Sequence, residues 1–177
     1  MPKANILIVE DEAVVAADLA GKLERAGYRS VGIACDGEDA GGAGKALVPD
    51  LVLMDIRLAG PIDGIKTAER IQAFRNIPIV YLTAHSDMAT LRRAAATEPF
   101  GYILKPFEER DVTTQIEIAL FKHQAERRLR ESEERYRKLV ETAMDSIITF
   151  DHAGLILSCN AATQHMFGYR IEEMVGR

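Results

Sequence analysis

The chain predicts an α/β fold built on a parallel sheet, and three observations carry the prediction. Short apolar runs recur five times within the first 105 residues, a segment of helical period follows each, and the first, third, fourth and fifth runs end abruptly on polar or charged residues. A run that is apolar at every position is buried on both faces, as in a parallel sheet. Strand–helix alternation repeated five times places helices on both faces of that sheet.

The first strand is Asn5–Val9, ending on Glu10, Asp11 and Glu12. Residues 13–26 follow with helical spacing through Val15, Leu19 and Leu23, and Gly27 suits the helix C-terminus. Ser30–Ala34 is the second strand. Residues 37–47 read as a helix weakened by Gly41, Gly42 and Gly44, each costing about 1 kcal/mol relative to Ala. Leu51–Met54 leads into Asp55 as the third strand, and residues 63–75 are helical through Ile65, Ala68, Ile71 and Phe74. Ile77–Leu82 is a strand ending at Thr83–Ala84. A helix spans roughly 87–97, and Gly101–Leu104 is a fifth strand ending at Lys105–Pro106.

Asp55 is the residue that needs explaining. A charged carboxylate at the end of an apolar strand must find a partner or change its protonation. It lies at the C-terminal edge of the sheet, where ligands bind in open α/β folds. Glu10, Asp11, Thr83 and Lys105 fall at the same ends of strands 1, 4 and 5, so the topology gathers three carboxylates, a hydroxyl and an ammonium. Clustered carboxylates repel, and hard oxygen ligands suit Mg²⁺. A metal-held Asp55 can act as a carboxylate nucleophile toward phosphorus. Lys105 and the metal would offset charge on the transferring oxygens, and the Thr83 hydroxyl can donate to the phosphate.

Composition narrows the alternatives. A net charge of -5 offers no basic surface for nucleic acid, and acids and bases balance at eight each over 108–138. Cys35 and Cys159 lack metal-ligand spacing and fit a reducing compartment. The N-terminus lacks a secretory signal, and no apolar run approaches the ~20 residues of a membrane span. A cytoplasmic protein, without membrane or nucleic-acid contacts, is the expectation. Residues 39–46 imitate a phosphate-binding loop, but Asp39 stands for the first glycine and Ala46 for the final Ser/Thr. No Gly-x-Gly-x-x-Gly follows strand 1. Asp55-Ile56-Arg57 lacks the second Asp of haloacid-dehalogenase-like phosphatases, and the residues after His123 lack the pattern of a kinase phosphoacceptor histidine.

Glu10-Asp11, Met54-Asp55-Ile56, Thr83-Ala84 and Lys105-Pro106, at these spacings, resemble the response-regulator receiver family of two-component signalling over residues 4 to about 122. The resemblance implies a flavodoxin-like (βα)5 fold with strand order 2-1-3-4-5. It implies that Asp55 is the phosphoacceptor and that Asp11 and Asp55 ligate Mg²⁺, with Glu10 acting mostly through water and the Arg57 main-chain carbonyl completing the set. It makes Lys105 a phosphate partner through a cis Lys105–Pro106 peptide. Tyr102 matches the aromatic switch that turns inward as Thr83 moves toward the phosphate, and the small Ala84 leaves the site open to water. Glu10 stands where the family more commonly has Asp.

Residues 108 to about 143 contain no Gly or Pro and run as one helix. Val112, Ile116, Ala119 and Leu120 face the sheet, while Ala125, Leu129, Ser132, Tyr136, Leu139 and Ala143 keep coiled-coil spacing. The i,i+4 pairs from Glu126–Arg130 to Glu134–Lys138 support that helix. From Tyr136 the chain resembles the first half of a PAS sensor domain. Ser146–Phe150 and Leu155–Cys159 form a hairpin, and Asn160 caps a helix over 161–167 that Gly168 ends. Since a lone hairpin buries little, the PAS segment reads as truncated.

The expected organisation is a receiver over 1–122, a helical linker over 123–142 that forms a homodimer, and a partial α+β PAS segment over 143–177. The expected function is acceptance of a phosphoryl group from a histidine kinase or phosphotransfer protein, relayed through the fifth helix to a PAS-containing effector such as a sensor kinase or cyclic-dinucleotide enzyme. The receiver would catalyse only its own phosphorylation and dephosphorylation. The alternative is a receiver-fold dimerisation module that works without phosphorylation.

Overall fold

Five parallel strands, β1 (Asn5–Val9), β2 (Arg29–Ala34), β3 (Leu51–Asp55), β4 (Ile79–Ala84) and β5 (Gly101–Lys105), form one sheet in the order β2-β1-β3-β4-β5. The computed structural model describes residues 2–84 and 88–177, with the backbone alone for residues 88, 89 and 91. The intervening helices are α1 (Ala13–Arg25), α2 (Gly37–Ala46), α3 (Gly64–Phe74) and α4 (Met88–Ala95). The first residue of the helix expected from 87, Asp87, lies outside the described residues. A long helix, α5 (Glu109–Thr142), follows β5.

The sheet divides the core in two. On one face, Ile6, Ile8, Leu53, Val80, Leu82 and Ile103 pack with Leu19 and Leu23 of α1 and with Val112, Ile116 and Ala119 of α5. On the other, Leu7, Val9, Met54, Ile79 and Tyr81 pack with α2, α3 and α4. Successive strand residues alternate between these faces, so the central strands are apolar throughout. Burying each such large side chain stabilises the fold by about 1.5–3 kcal/mol before conformational entropy is subtracted.

The differences from the sequence reading have local causes. Ile77 and Pro78 precede β4 rather than open it, because Pro78 has no N–H for the ladder; its carbonyl still accepts from Val52 N at 3.0 Å. Ala16, not Val15, is the buried residue of the first turn of α1, and Phe74 is half-exposed at the end of α3. The glycines of α2 do not abolish it. Asp36 caps it by accepting from Glu38 N (2.9 Å) and Asp39 N (2.8 Å), and Gly44 packs against Ile71.

The chain falls into two compact units, Met1–Gln124 and Ala125–Arg177. The second unit holds an antiparallel hairpin, β6 (Ile148–Phe150) with β7 (Ile156–Cys159), followed by α6 (Ala161–Phe167) and α7 (Ile171–Met174). Asn160 organises it. Its Oδ1 accepts from Ile147 N, Thr163 N and the Thr163 hydroxyl, and its Nδ2 donates to the carbonyls of Val140 and Asp145. Gly168, at φ +75°, closes α6 in the left-handed conformation a C-terminal glycine supplies. No helix among the described residues is long and apolar enough to cross a membrane.

Candidate functional site

Strand ends build the site. Glu10 follows Ile8 by two residues, Asp55 follows Leu53 and Lys105 follows Ile103, so all three continue the side of the sheet that carries α1 and α5. Lys105 Nζ lies 2.6 Å from Glu10 Oε2 and 2.6 Å from Asp55 Oδ2, joining residues 95 and 50 positions apart. Asp55 Oδ1 accepts from Arg57 N at 3.0 Å, which turns the chain after β3 back over the carboxylate. Asp11 is half-buried and its Oδ2 accepts from Ala59 N at 3.1 Å. One carboxylate oxygen from each of Glu10, Asp11 and Asp55 lies within 4.8 Å of the others. The Lys105–Pro106 peptide is cis.

Thr83, Tyr81 and Tyr102 belong to the opposite side of the sheet. The buried Thr83 hydroxyl donates to the Ala84 carbonyl at 3.0 Å, so its proton is engaged within its own strand end. Ala84 itself is exposed. Tyr102 is half-buried, with its ring centroid 6.0 Å from that of the fully buried Tyr81.

The electrostatics follow from burial. Glu10 is fully buried, and that loss of water raises its pKa; the hydrogen bond from Lys105 pulls it down and the Asp55 charge pushes it up again. Burial alone would lower the Lys105 pKa, but its hydrogen bonds to Asp55 and Glu10 outweigh that and raise it. Three carboxylates against one ammonium sum formally to -2, in a site of hard oxygen donors. That set fits a divalent cation of the Mg²⁺ kind.

A stability prediction follows from Glu10. A carboxyl whose folded pKa is raised favours the protonated form, so its contribution is fully present below the ordinary value of 4.5 and is lost as pH rises through the folded value. In metal-free buffer, Glu10→Gln is therefore expected to raise Tm near pH 7, with the gain vanishing below about pH 4.5. A Tm at pH 7 below that of the parent chain would contradict this account of the site.

Sequence reasoning passed over two residues that shape the site. Gly64 opens α3 directly beneath β3, where a Cβ would stand 1.8 Å from the Asp55 carbonyl oxygen. Asp63 caps α3 by accepting from Lys66 N at 2.9 Å, and its other oxygen accepts from Arg93 Nη2 of α4 at 2.7 Å. The Asp-Gly pair ahead of a helical period was a signal for the cap. Nothing in the sequence signalled the backbone approach.

Comparison with known proteins places two families on the chain. The family model described as a response regulator receiver domain matches residues 6–117, and that of the PAS fold matches residues 134–177. The chain is 40% identical over 116 residues to the transcriptional regulatory protein PdtaR of Mycobacterium tuberculosis, covering 66% of this chain and 56% of that protein. It is 32% identical over 120 residues to the transcriptional regulatory protein YvrH of Bacillus subtilis, covering 68% and 50%. It thus spans about half the length of the curated relatives it matches. Among solved structures, the signal receiver domain of a modulated diguanylate cyclase from Desulfovibrio desulfuricans is 40% identical with a TM-score of 0.67, covering 70% of this chain and 98% of that one. The N-terminal domain of a response regulator/sensory box/GGDEF three-domain protein from Carboxydothermus hydrogenoformans is 38% identical with a TM-score of 0.64, covering 69% and 98%.

Proposed function

We propose, from the premise that this chain belongs to the response regulator receiver family of two-component signalling, that it accepts a phosphoryl group on Asp55 and relays the change to a PAS-containing effector. The observation that carries the reading is the Glu10–Lys105–Asp55 contact beside Asp11, assembled from three strand ends. Receiver domains interact with histidine kinases or phosphotransfer proteins, and such a donor would present phosphohistidine. A carboxylate oxygen of Asp55 attacks phosphorus, an O–P bond forms, and the P–N bond breaks with its electron pair going to the departing imidazole.

The residues divide the work. Receiver domains generally bind Mg²⁺, and here Glu10, Asp11, Asp55 and the Arg57 main-chain carbonyl would hold it. When bound, it supplies positive charge against the phosphoryl oxygens. Lys105, shared between two carboxylates, is placed to turn one of its N–H groups to the new phosphate. The Thr83 hydroxyl would exchange the Ala84 carbonyl for a phosphate oxygen, and Tyr102 would turn inward behind it. Ala84 leaves that side of the site open. Phosphorylation takes the Asp55 charge from about -1 toward -2, which is the energy source for the rearrangement. Labelling of the intact chain by acetyl phosphate tests the reading: Mg²⁺-dependent, hydroxylamine-labile label is expected. A chain that binds Mg²⁺ and takes no label is instead a phosphorylation-independent dimerisation module.

The linker is the proposed dimer element, within an organisation of receiver (1–122), helix (123–142) and PAS-like segment (143–177). Leu129, Tyr136 and Leu139 are 62%, 64% and 64% exposed on α5, at four-three spacing with Ala125, Ser132 and Ala143. A second copy laid parallel would bury that row. Sedimentation equilibrium is expected to show a dimer for the parent chain and a monomer for Leu129→Asp/Leu139→Asp. A parent chain that stays monomeric at tens of micromolar would remove the dimer. The relay then reaches the effector output, for which a cyclic-dinucleotide enzyme, as in the D. desulfuricans diguanylate cyclase, and a sensor kinase are the two candidates.

A further inference from the structure

Tyr81 is the largest fully buried side chain of the first unit, and its hydroxyl has work that packing alone does not require. It sits 2.9 Å from the Thr97 hydroxyl, which itself donates to the Ala94 carbonyl at 2.8 Å. The Thr97 proton being used there, Tyr81 must be the donor to Thr97 Oγ1. The Thr97 carbonyl accepts from Gln72 Nε2 of α3 at 3.1 Å, and the next residue, Glu98, takes the left-handed conformation at φ +49°. The last turn of α4 and its exit are thus tied to the sheet through one phenol.

The other end of this arrangement is Tyr102. Tyr81 and Tyr102 are directly paired across β4 and β5, and their rings lie 31° apart in tilt on the same face. A Tyr102 ring that moves inward meets the Tyr81 ring. Tyr81 is closed in on every side and pinned at its hydroxyl, so it cannot rotate away without pulling on Thr97. Burial pushes its phenol pKa up to about 12, which keeps the proton in place throughout the physiological range.

We propose that Tyr81 is a positioning residue for signal output: it passes displacement of Tyr102 to the C-terminal turn of α4 through the Tyr81–Thr97–Ala94 hydrogen-bond chain. The inference rests on the reading of Asp55 as phosphoacceptor and Tyr102 as switch. It makes the end of α4, rather than its start alone, a part of the surface that phosphorylation alters.

The test uses the full chain, with amide hydrogen exchange over residues 94–98 measured with and without beryllofluoride plus Mg²⁺. The parent chain is expected to change exchange there on addition of the phosphoryl analogue. In Tyr81→Phe, which deletes only the hydroxyl, metal-free exchange is expected to rise roughly five- to tenfold, the size of one lost hydrogen bond, and the analogue-dependent change to disappear. Thr97→Val, which removes the acceptor, is expected to do the same. Labelling of Asp55 by acetyl phosphate stays within about twofold in both, since neither residue touches the carboxylates. A hydrogen bond that served stability alone would speed exchange equally in both states and leave the analogue-dependent difference intact; that result overturns the relay. A parent chain that takes no label overturns the phosphoacceptor reading, and the relay with it.

Discussion

Asp55→Asn is expected to reduce hydroxylamine-labile phosphate incorporation from acetyl phosphate to background, a loss of about a hundredfold or more, because an amide oxygen is no nucleophile toward phosphorus. The substitution is nearly isosteric, and the carboxamide oxygen can still accept from Arg57 N as Asp55 Oδ1 does at 3.0 Å. Lys105 keeps Glu10 as a partner at 2.6 Å. Loss of label should therefore come without loss of the fold, which far-UV circular dichroism and Tm would verify. Mg²⁺ affinity should fall as well, since one of three clustered carboxylates has gone. Label that survives in Asp55→Asn would move the acceptor to another carboxylate, with Glu10 and Asp11 the first to examine.

The contrast between Asp55 and Thr83 shows how far sequence reasoning reaches. Strand ends can be counted from apolar runs, and a parallel sheet sends all of them to one edge, so the meeting of Glu10, Asp55 and Lys105 was legible before any coordinates. The five strands emerge from the same runs, whereas their order was implied only by the resemblance to the receiver family. Which side of the sheet each end serves is less visible, because slipping a strand boundary by one residue reverses the side. Thr83 and Tyr102 fall on the α2–α4 side, and the Thr83 hydroxyl is spent on Ala84 O. Tyr81 is harder still. In the sequence it is one more aromatic in a strand, and its partner Thr97 lies 16 positions on, at the end of the helix read over 87–97, where the structure has a turn after Ala95.

Glu10 illustrates a second limit. Its acidity marks it as a site residue, but only three-dimensional burial explains why its pKa is driven up in spite of a lysine at 2.6 Å. The pair with Lys105 is partial compensation for a charge held out of water, not a net gain in stability. A divalent cation held by the same carboxylates would offset part of that charge, so Mg²⁺ affinity and stability are expected to depend on the same group.

Gly64→Ala is expected to be the most damaging of the conservative changes, lowering stability by about 3 kcal/mol or more and Tm by roughly 10 °C. An alanine Cβ would lie 1.8 Å from the Asp55 carbonyl oxygen, 2.9 Å from its carbonyl carbon and 3.1 Å from Ile56 Cα. All three are backbone atoms, so no rotamer change can relieve the contact; β3 and the start of α3 must separate. That movement would strain the bond from Gly64 N to Ile56 O at 3.1 Å and shift the Asp63 cap with its Arg93 partner. Since Asp55 lies on the displaced strand end, Mg²⁺ affinity and labelling should fall together with stability. Gly41→Ala provides the control of opposite sign. Its Cβ would meet nothing within 4 Å, so the substitution is expected to gain up to about 1 kcal/mol of helix propensity and raise Tm. Thermal melts of the two variants side by side decide the matter: a Gly64→Ala chain melting within 2 °C or so of the parent would show that the close approach of α3 to Asp55 places no constraint on the site.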